Sequence, residues 1–360
     1  MRFPEFSGEW EKCQINDFGK VITGSTPPTS HTEYYENGEF LWASPADLGN
    51  GKYILSTKTK LSLPGFDKCR KIPAHSILVT CIGSTIGKMG MSATEMATNQ
   101  QINSIIPIEC NPDYVYYSIQ SRFPKYITSI ATQAVPILSK SSFESLDSYK
   151  TSIQEQKKIG LLLRLLDERI DTQSKIIEEQ ETLLKSLADR LISSIVANVS
   201  LNDCVVARAF TMKESELEST GAFPVYGASG LCGYSSEALE AADSILVTKD
   251  GSGVGTCQYV TGAHSFFGTL CSLTARESVY LPYIYYALLN FNFAAYKTGL
   301  AIPHIYFKDY GRATIFCPSY DEQFRIASGL ERLEAKINID RELLNQFHLQ
   351  KGYLLSHMFI

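Results

Sequence analysis

The feature that most constrains this chain is that part of it occurs twice. TSIQEQKKIGLLLRLLDERID, from residue 151, lies over PSYDEQFRIASGLERLEAKIN, from residue 318, at an offset of 167. Glu155 falls on Glu322, Gln156 on Gln323 and Ile159 on Ile326, and upstream Pro136 falls on Pro303. At an offset of 168, ILVTCIGSTIGK (77–88) falls on ILVTKDGSGVGT (245–256), with Gly83/Gly251, Ser84/Ser252 and Gly87/Gly255 in register. Ordered matches at a nearly constant offset predict one architectural unit used twice, and 360 residues exceed what a single core usually holds.

The second half of each unit is legible as a long helix. In the first copy the apolar ladder is 159, 163, 166, 170, 177, 184, 187, 191, with Gln173 and Gln180 filling the gaps. In the second copy Ile326, Leu330, Leu333, Ile337, Leu344, Phe347, Leu354 and Met358 form the same ladder, interrupted by Asp340 and Lys351. Alternating steps of four and three are a coiled-coil seam. Packing on a globular core is the alternative for either helix alone. Recurrence in both copies favours the helices packing on each other, antiparallel. At ~1.5 Å per residue, a helix of about 40 residues is ~60 Å long and can act as a spacer. Gln173 and Asp340 hold equivalent heptad positions, where a polar group costs stability and fixes register.

The globular parts read as mixed. Strands are expected at Phe40–Ala43, 76–82, 102–108, 244–247 and 314–317, with helices over 112–122 and 282–289, where Pro112 and Pro282 sit near the helix start. A twisted, mostly antiparallel sheet with a few helices is expected in each. The expected segments are 1–150, a globular domain; 151–198, a long helix; 199–318, a second globular domain; and 319–360, a second long helix. The fold class is therefore α+β, with two mixed α/β domains separated by two long antiparallel coiled-coil helices and related by a pseudo-twofold internal repeat.

Charge bears on partners. The net charge of −5 excludes a protein that wraps nucleic acid by bulk charge. Residues 1–150 carry 14 basic and 14 acidic groups, and 199–318 carry 7 and 10. The one dense basic stretch is Lys52, Lys58, Lys60, Lys68, Arg70 and Lys71, with Asp67 as its only acid. Nine scattered cysteines without a C-x-x-C pair support no zinc ribbon and fit a reducing cytosol. The opening MRFPEFSGEWEKC has no apolar signal-peptide region, and no apolar run approaches the ~18 residues of a membrane span.

Two motifs invite misreading. Asp250-Gly251-Ser252-Gly253-Val254-Gly255-Thr256 follows a strand like a phosphate-cradling loop, but Cys257-Gln258-Tyr259-Val260 continues as strand where a helix is required. Gly83-Ser84-Thr85-Ile86-Gly87-Lys88 lacks the Walker spacing and hydroxyl, so both read as tight strand–turn–strand elements. Asn111-Pro112-Asp113-Tyr114 is similar to the N-P-P-Y signature of amino-methyltransferases, but its third residue is Asp and no Gly-rich cofactor loop precedes it. It reads as a helix start. The six histidines are dispersed and suggest neither a metal site nor a Ser–His pair.

With the repeat established, the chain resembles HsdS, the specificity subunit of type I restriction–modification enzymes, over essentially its whole length. The resemblance rests on Arg2-Phe3-Pro4-Glu5-Phe6-Ser7-Gly8-Glu9-Trp10 and on Val21-x-x-Gly24-Ser25-Thr26-Pro27 followed by Tyr34-Tyr35 and Leu41-Trp42. It rests also on Phe223-Pro224-Val225-Tyr226-Gly227-Ala228-Ser229-Gly230 with Gly233-Tyr234, and on the Glu-Gln followed by Ile that opens each long helix. The resemblance implies that each globular domain is a target-recognition domain reading one half of a split, asymmetric site on double-stranded DNA. It implies that the helices set the unread spacer, that two methyltransferase subunits dock on the chain, and that restriction/translocase subunits join them. It implies a cytoplasmic, non-catalytic subunit without cofactors of its own, with S-adenosylmethionine, ATP and Mg carried by the partners. Those partners would supply much of the phosphate contact that the acidic chain lacks. A recognition subunit of another modification enzyme, an orphan specificity subunit and a coiled-coil scaffold that binds no DNA are the other readings.

Candidate DNA contacts follow from side-chain chemistry. Lys52, Lys58, Lys60, Lys68, Arg70 and Lys71 are candidates for phosphate, with a solvated loop as the alternative. Lys88 and Lys249 lie in the repeated turns. Asn99, Gln100, Gln101 and Asn103 suit adenine edges, although structural hydrogen bonding is the competing role. Tyr226, Ser229, His304 and Tyr306 are the candidates in the second domain.

Overall fold

The computed structural model describes residues 2–130, 137–210, 212, 217–299 and 302–359, so Pro136 of the sequence repeat lies outside the described residues. The chain divides into two compact units, Met1–Ser174 with Glu342–Ile360, and Lys175–Arg341.

The strands of the first unit are β1 (Glu11–Gln14), β2 (Gly19–Thr23), β3 (Phe40–Ala43), β4 (Tyr53–Ile54), β5 (Thr59–Leu61), β6 (Lys71–Ile72), β7 (Ile77–Thr80), β8 (Met89–Ser92), β9 (Met96–Thr98), β10 (Ile102–Pro107) and β11 (Asp147–Lys150). Its helices are α1 (Leu63–Asp67), α2 (Pro112–Ile130), α3 (Lys140–Glu144) and the first part of α4 (Ile153–Ala188). The main sheet has the order β2-β10-β7-β8-β4 and a second sheet the order β5-β3-β9-β6. Most pairs are antiparallel, but β3 runs parallel to β9 and β4 to β8. A five-stranded and a four-stranded sheet, with β1 and β11 as a separate pair, therefore stand where one sheet was expected. The Ile77-Leu78-Val79-Thr80 strand is buried throughout, which its unbroken apolar run requires. Asn111 Oδ1 accepts from the Tyr114 amide at 3.0 Å, so Asn111-Pro112-Asp113-Tyr114 is a helix start. Helix α2 runs past the expected end at 122, with Pro124 inside it.

The second unit contains β12 (Val199–Ser200), α5 (Leu201–Cys204), β13 (Val205–Arg208), β14 (Phe223–Gly227), β15 (Gly230–Ser235), β16 (Ser244–Thr248), β17 (Cys257–Val260), β18 (Ser265–Phe266), β19 (Leu270–Ala275), α6 (Leu281–Leu289), α7 (Phe307–Tyr310), β20 (Thr314–Ile315) and most of α8 (Tyr320–Met358 overall). Its larger sheets have the orders β13-β19-β16-β17 and β15-β14-β18, with β12 and β20 as a separate pair, and β14 runs parallel to β18. The order β13-β19-β16-β17 repeats β2-β10-β7-β8, and β14 with β18 repeats β3 with β9. The internal homology of the sequence is therefore a homology of topology.

Each unit is seated on the long helices by the same bonds. Gln156, buried near the start of α4, accepts from the Asn111 amide at 3.0 Å and donates to the Thr151 carbonyl at 2.7 Å. Gln323, buried in α8, accepts from the Tyr280 amide at 2.9 Å and donates to the Pro318 carbonyl at 2.9 Å. The Tyr114 hydroxyl donates to the Tyr149 carbonyl, and that of Tyr283 to the Phe316 carbonyl, both at 2.8 Å. Tyr117 donates to Asp167 at 2.6 Å, and Tyr286 to Glu334 at 2.7 Å. The glutamine shared by the two sequences thus cross-links two helix starts whose amides would otherwise lack partners.

In the first unit the helices run antiparallel: Asp167 pairs with Lys351 at 2.6 Å, and Arg169 lies over the Phe347 ring. Ile159, Leu163, Leu166 and Ile170 are buried from one side, Leu354 and Met358 from the other. In the second unit Ile177, Leu184, Leu330 and Ile337 are buried. Asp340 accepts there from Gln180 at 2.9 Å and from Lys336 at 2.8 Å, so its seam partner is Gln180. The ladder departs from expectation at its end, where Ile192 is buried and Leu191 is exposed. Asp189–Ser193 is a π turn, and its extra residue rotates the apolar face by one position.

Candidate nucleic-acid interface

The glycine turns following β7 and β16 are the same object. In the first, the Gly87 amide donates to the Thr80 carbonyl and the Ile86 amide to the Gly83 carbonyl; in the second, Gly255 donates to Thr248 and Val254 to Gly251. Gly83, Gly87, Gly251 and Gly255 have φ of 96°, 90°, 95° and 93°, the left-handed region that glycine adopts without cost. Both turns lead into antiparallel strands, as expected, and no helix follows to hold a phosphate.

Beside each turn three chain segments cross. The Cys81 amide donates to the Gln101 carbonyl and the Leu138 amide to the Cys81 carbonyl, both at 2.8 Å, and Ile82 bridges Ile137. In the second unit Lys249 donates to Thr269, Ile305 donates to Lys249, and Asp250 bridges His304. The backbone is shared while the side chains differ in charge and shape.

In the first unit the amide groups are held in place. Asn99 is buried; its Nδ2 donates to Gln101 Oε1 at 3.0 Å, and its Oδ1 accepts from the Gln101 amide at 2.9 Å. Asn99 therefore orients Gln101, the structural role weighed in the sequence. Thr26 donates to the exposed Gln100 side chain. Asn103 is buried and accepts from Thr23 at 2.7 Å. Arg70 closes the same region: its guanidinium donates to the Thr23 carbonyl at 2.9 Å and its amide to Ser25 Oγ at 3.0 Å.

The six cations of the basic stretch separate. Lys58, Lys60, Lys68, Arg70 and Lys71 are exposed. Lys71 is paired with Asp67 at 2.6 Å, and no ion pair engages Lys58, Lys60 or Lys68 among the described residues. Lys52 is a correction to the phosphate set. It is only 6% exposed, its ammonium pairs with Asp113, and it donates to the Tyr117 hydroxyl at 3.2 Å. Burial pulls its pKa below the ordinary lysine value, and the Asp113 carboxylate opposes that shift. Lys52 joins Asp113, Tyr117, Asp167 and Lys351 in one polar chain that ties α2 to the long helices. Lys88 is exposed and lines a cleft of about 510 Å³ with Tyr116, Phe123, Asp171 and His348, rather than joining Gln101.

In the second unit Lys249 is half-buried in the crossing. His304 Nδ1 lies 3.3 Å from the Ile302 carbonyl oxygen, and its ring is edge-on to the exposed Tyr306, over which Lys308 sits. Ser229 is exposed at the turn between β14 and β15, on the other sheet from Lys249. Tyr226 packs on the Leu246–Phe266 cluster, edge-on to the buried His264, so its ring belongs to the core. Sequence reasoning missed Ile82, Ile137 and Asp250, which occupy the crossings. The near-constant offset already paired Ile82 with Asp250 and Ile137 with His304, and that signal could have found them. Among the described residues no helix is long and apolar enough to cross a membrane, and no cluster of residues could hold a metal ion.

The family described as "Type I restriction modification DNA specificity domain" matches the chain twice, over residues 7–182 and 196–348. The HindI specificity subunit of Haemophilus influenzae is 32% identical over 189 residues, covering 49% of this chain and 40% of that protein. The MjaIX specificity subunit of Methanocaldococcus jannaschii is 28% identical over 193 residues, covering 52% and 43%. These matches thus span less than half the length of the relatives. The EcoprrI specificity subunit of Escherichia coli is 21% identical over 92% of this chain and 89% of that protein. Among solved structures, a type I restriction–modification S subunit from M. genitalium shares the fold with a TM-score of 0.69 at 18% identity, over 98% of this chain and 96% of that one.

Proposed function

Because the chain belongs to the type I restriction–modification DNA specificity family, which matches it in two successive copies, we propose that it is the subunit that selects the DNA sequence for such a complex. Each unit reads one half of a split, asymmetric site on double-stranded DNA. The chain itself is non-catalytic. Two methyltransferase subunits dock on it and methylate adenine with S-adenosylmethionine, and restriction/translocase subunits add an activity that uses ATP and Mg. The observation that carries this reading is the pair of glycine-turn crossings: one backbone, repeated in both units, with Ile82, Gln101 and Ile137 in one and Asp250, Thr269 and His304 in the other. A shared frame with divergent solvent-facing side chains suits two readers of different half-sites. The exposed cations Lys58, Lys60, Lys68 and Arg70, none of them in an ion pair among the described residues, suit phosphate contact in the first half. The −5 net charge leaves the remaining phosphate contacts to the partners.

The test is a map of methylated adenines in DNA from cells that carry this chain with its methyltransferase. A split motif with two unlike halves is expected. Inserting one heptad into both α4 and α8 is expected to lengthen the unread spacer and leave the halves unchanged. A continuous motif overturns the reading.

A further inference from the structure

Resting on that reading, we infer that the crossing beside each glycine turn is the base-discriminating element. The first unit reads an A·T pair there through Gln101 flanked by Ile82 and Ile137; the second reads a C·G pair through Asp250 flanked by Lys249 and His304. The crossing positions Ile82/Asp250, Gln101/Thr269 and Ile137/His304 are equivalent, fixed by the same amide-to-carbonyl bonds and the same isolated bridge, and Lys249 stands where the first unit has Cys81. Nothing in the frame explains why they differ. What differs is what they present to solvent.

In the first unit an amide stands between two isoleucines. Ile137 is 53% exposed, a poor place for an apolar side chain in water and a suitable one for a methyl partner. Gln101 Oε1 has two lone pairs, and Asn99 Nδ2 takes one. The other lone pair and the Nε2 hydrogens remain, the acceptor and donor that match adenine N6 and N7. The side-chain nitrogen lies at the turn itself, 3.7 Å from where a Cβ on Gly83 would be. The thymine of an A·T pair presents its C5 methyl in the same groove, and an isoleucine is its natural contact. Asn99 is the positioning residue: buried, it prevents the Gln101 amide from flipping to the pattern that adenine rejects.

In the second unit the chemistry inverts. Thr269 is short, and Asp250 replaces Ile82 on the bridge. A carboxylate is repelled by phosphates and is useful on DNA over a base edge that donates, and cytosine N4 is such an edge. Lys249 supplies a donor for the O6 and N7 of the paired guanine. The His304 ring is steered by the Ile302 carbonyl at 3.3 Å and by Tyr306 at its edge.

The experiment is selection of bound duplexes from a randomised DNA library by the chain assembled with its methyltransferase subunits, for wild type, Gln101→Ala and Asp250→Ala. Wild type is expected to select a split site with A·T at one position of one half and C·G at one position of the other. Gln101→Ala should lose only the A·T preference, by roughly ten- to hundred-fold. Asp250→Ala should lose only the C·G preference, by a similar factor. Neither residue is in a core, and an unchanged thermal midpoint separates lost reading from lost folding. Ile137→Ser provides a third arm, expected to reduce discrimination of thymine from uracil at the same position. Variants that leave a split site unchanged in both halves, or that alter both halves together, overturn this inference alone. Failure of wild type to select any split site overturns the functional reading and this inference with it.

Discussion

The two units agree at the bonds to the long helices and disagree at the turn face. Gln156 and Gln323, Tyr114 and Tyr283, and Tyr117 and Tyr286 make the same bonds to equivalent partners. At the crossings not one of Ile82/Asp250, Gln101/Thr269 and Ile137/His304 is shared. Sequence likeness therefore follows what a residue touches. A buried amide that satisfies two backbone groups has few substitutes, because losing it strands polar groups away from water. A side chain facing solvent at the turn has no such constraint and is free to differ.

The sharpest way to break the comparison is to fill a turn glycine. A Cβ at Gly87 would lie 2.7 Å from the Phe123 ring, and one at Gly255 would lie 2.8 Å from Phe293, each on a residue with φ near 90°. Strain and overpacking add, so Gly87→Val and Gly255→Val should each cost roughly 2–4 kcal/mol. Hydrogen exchange at the amides of β7–β8 and β16–β17 is the measurement, with each variant opening only its own unit. Equal losses support one frame; tolerance of either substitution would mean the turns are alike in outline alone.

Next in size are Gln156→Ala and Gln323→Ala. Each strands the buried amide that its carbonyl accepts from and the carbonyl that its amide serves, at about 1–3 kcal/mol. Gln323 also lies 3.4 Å from Cys317 Sγ, a weak extra contact. The two losses should therefore match closely, read as denaturant midpoints of the two units by hydrogen exchange. A large cost in one unit and none in the other would show that the shared motif has only one job.

The comparison also marks what a sequence can disclose. The offset exposed the repeat, the heptad ladders exposed α4 and α8, and Ile-Leu-Val-Thr exposed β7 and β16, because each depends on periodicity or on near-identity. The second sheet of each unit was hidden: β6 and β18 have two residues each, and β3 with β9 is a parallel pair between distant segments. Lys52 was misread for a physical reason. A lysine beside Gly49, Asn50 and Gly51 has the local chemistry of a solvated loop, and only the fold brings Asp113 and Tyr117 to it. The π turn at Asp189–Ser193 moved the apolar face from Leu191 to Ile192, a one-residue change that heptad counting cannot register. Arg70 and Gln100 were legible as residue types, but their meeting around Ser25 and Thr26 depends on the segment after β2 lying against Thr98 at the end of β9.

The smallest expected effect concerns the glutamate next to the shared glutamine, where the copies part. Glu155 is held bidentately by Arg2, with both bonds at 2.7 Å, and also accepts from Thr151. Its counterpart Glu322 pairs with Arg325, one turn along its own helix, at 3.1 Å. Burial raises the Glu155 pKa, but the bonds from Arg2 and Thr151 outweigh it, and the carboxyl ends below its ordinary value near 4.5. A depressed folded pKa means the unfolded chain binds more protons between the two values, so this stability is present above about 4.5 and is lost as pH falls through the folded pKa. Arg2→Ala should remove it and leave burial to dominate, so the variant is less stable at pH 7 and converges on wild type in acid. Trp10 and Trp42, the chain's two tryptophans, both lie in the first unit, so fluorescence-monitored urea midpoints at pH 7 and pH 4 report that unit. Arg325→Ala should leave those midpoints unmoved. A difference between Arg2→Ala and wild type that stays constant with pH would mean that Arg2 acts by packing near Phe3 and Phe6, not by holding the Glu155 carboxylate.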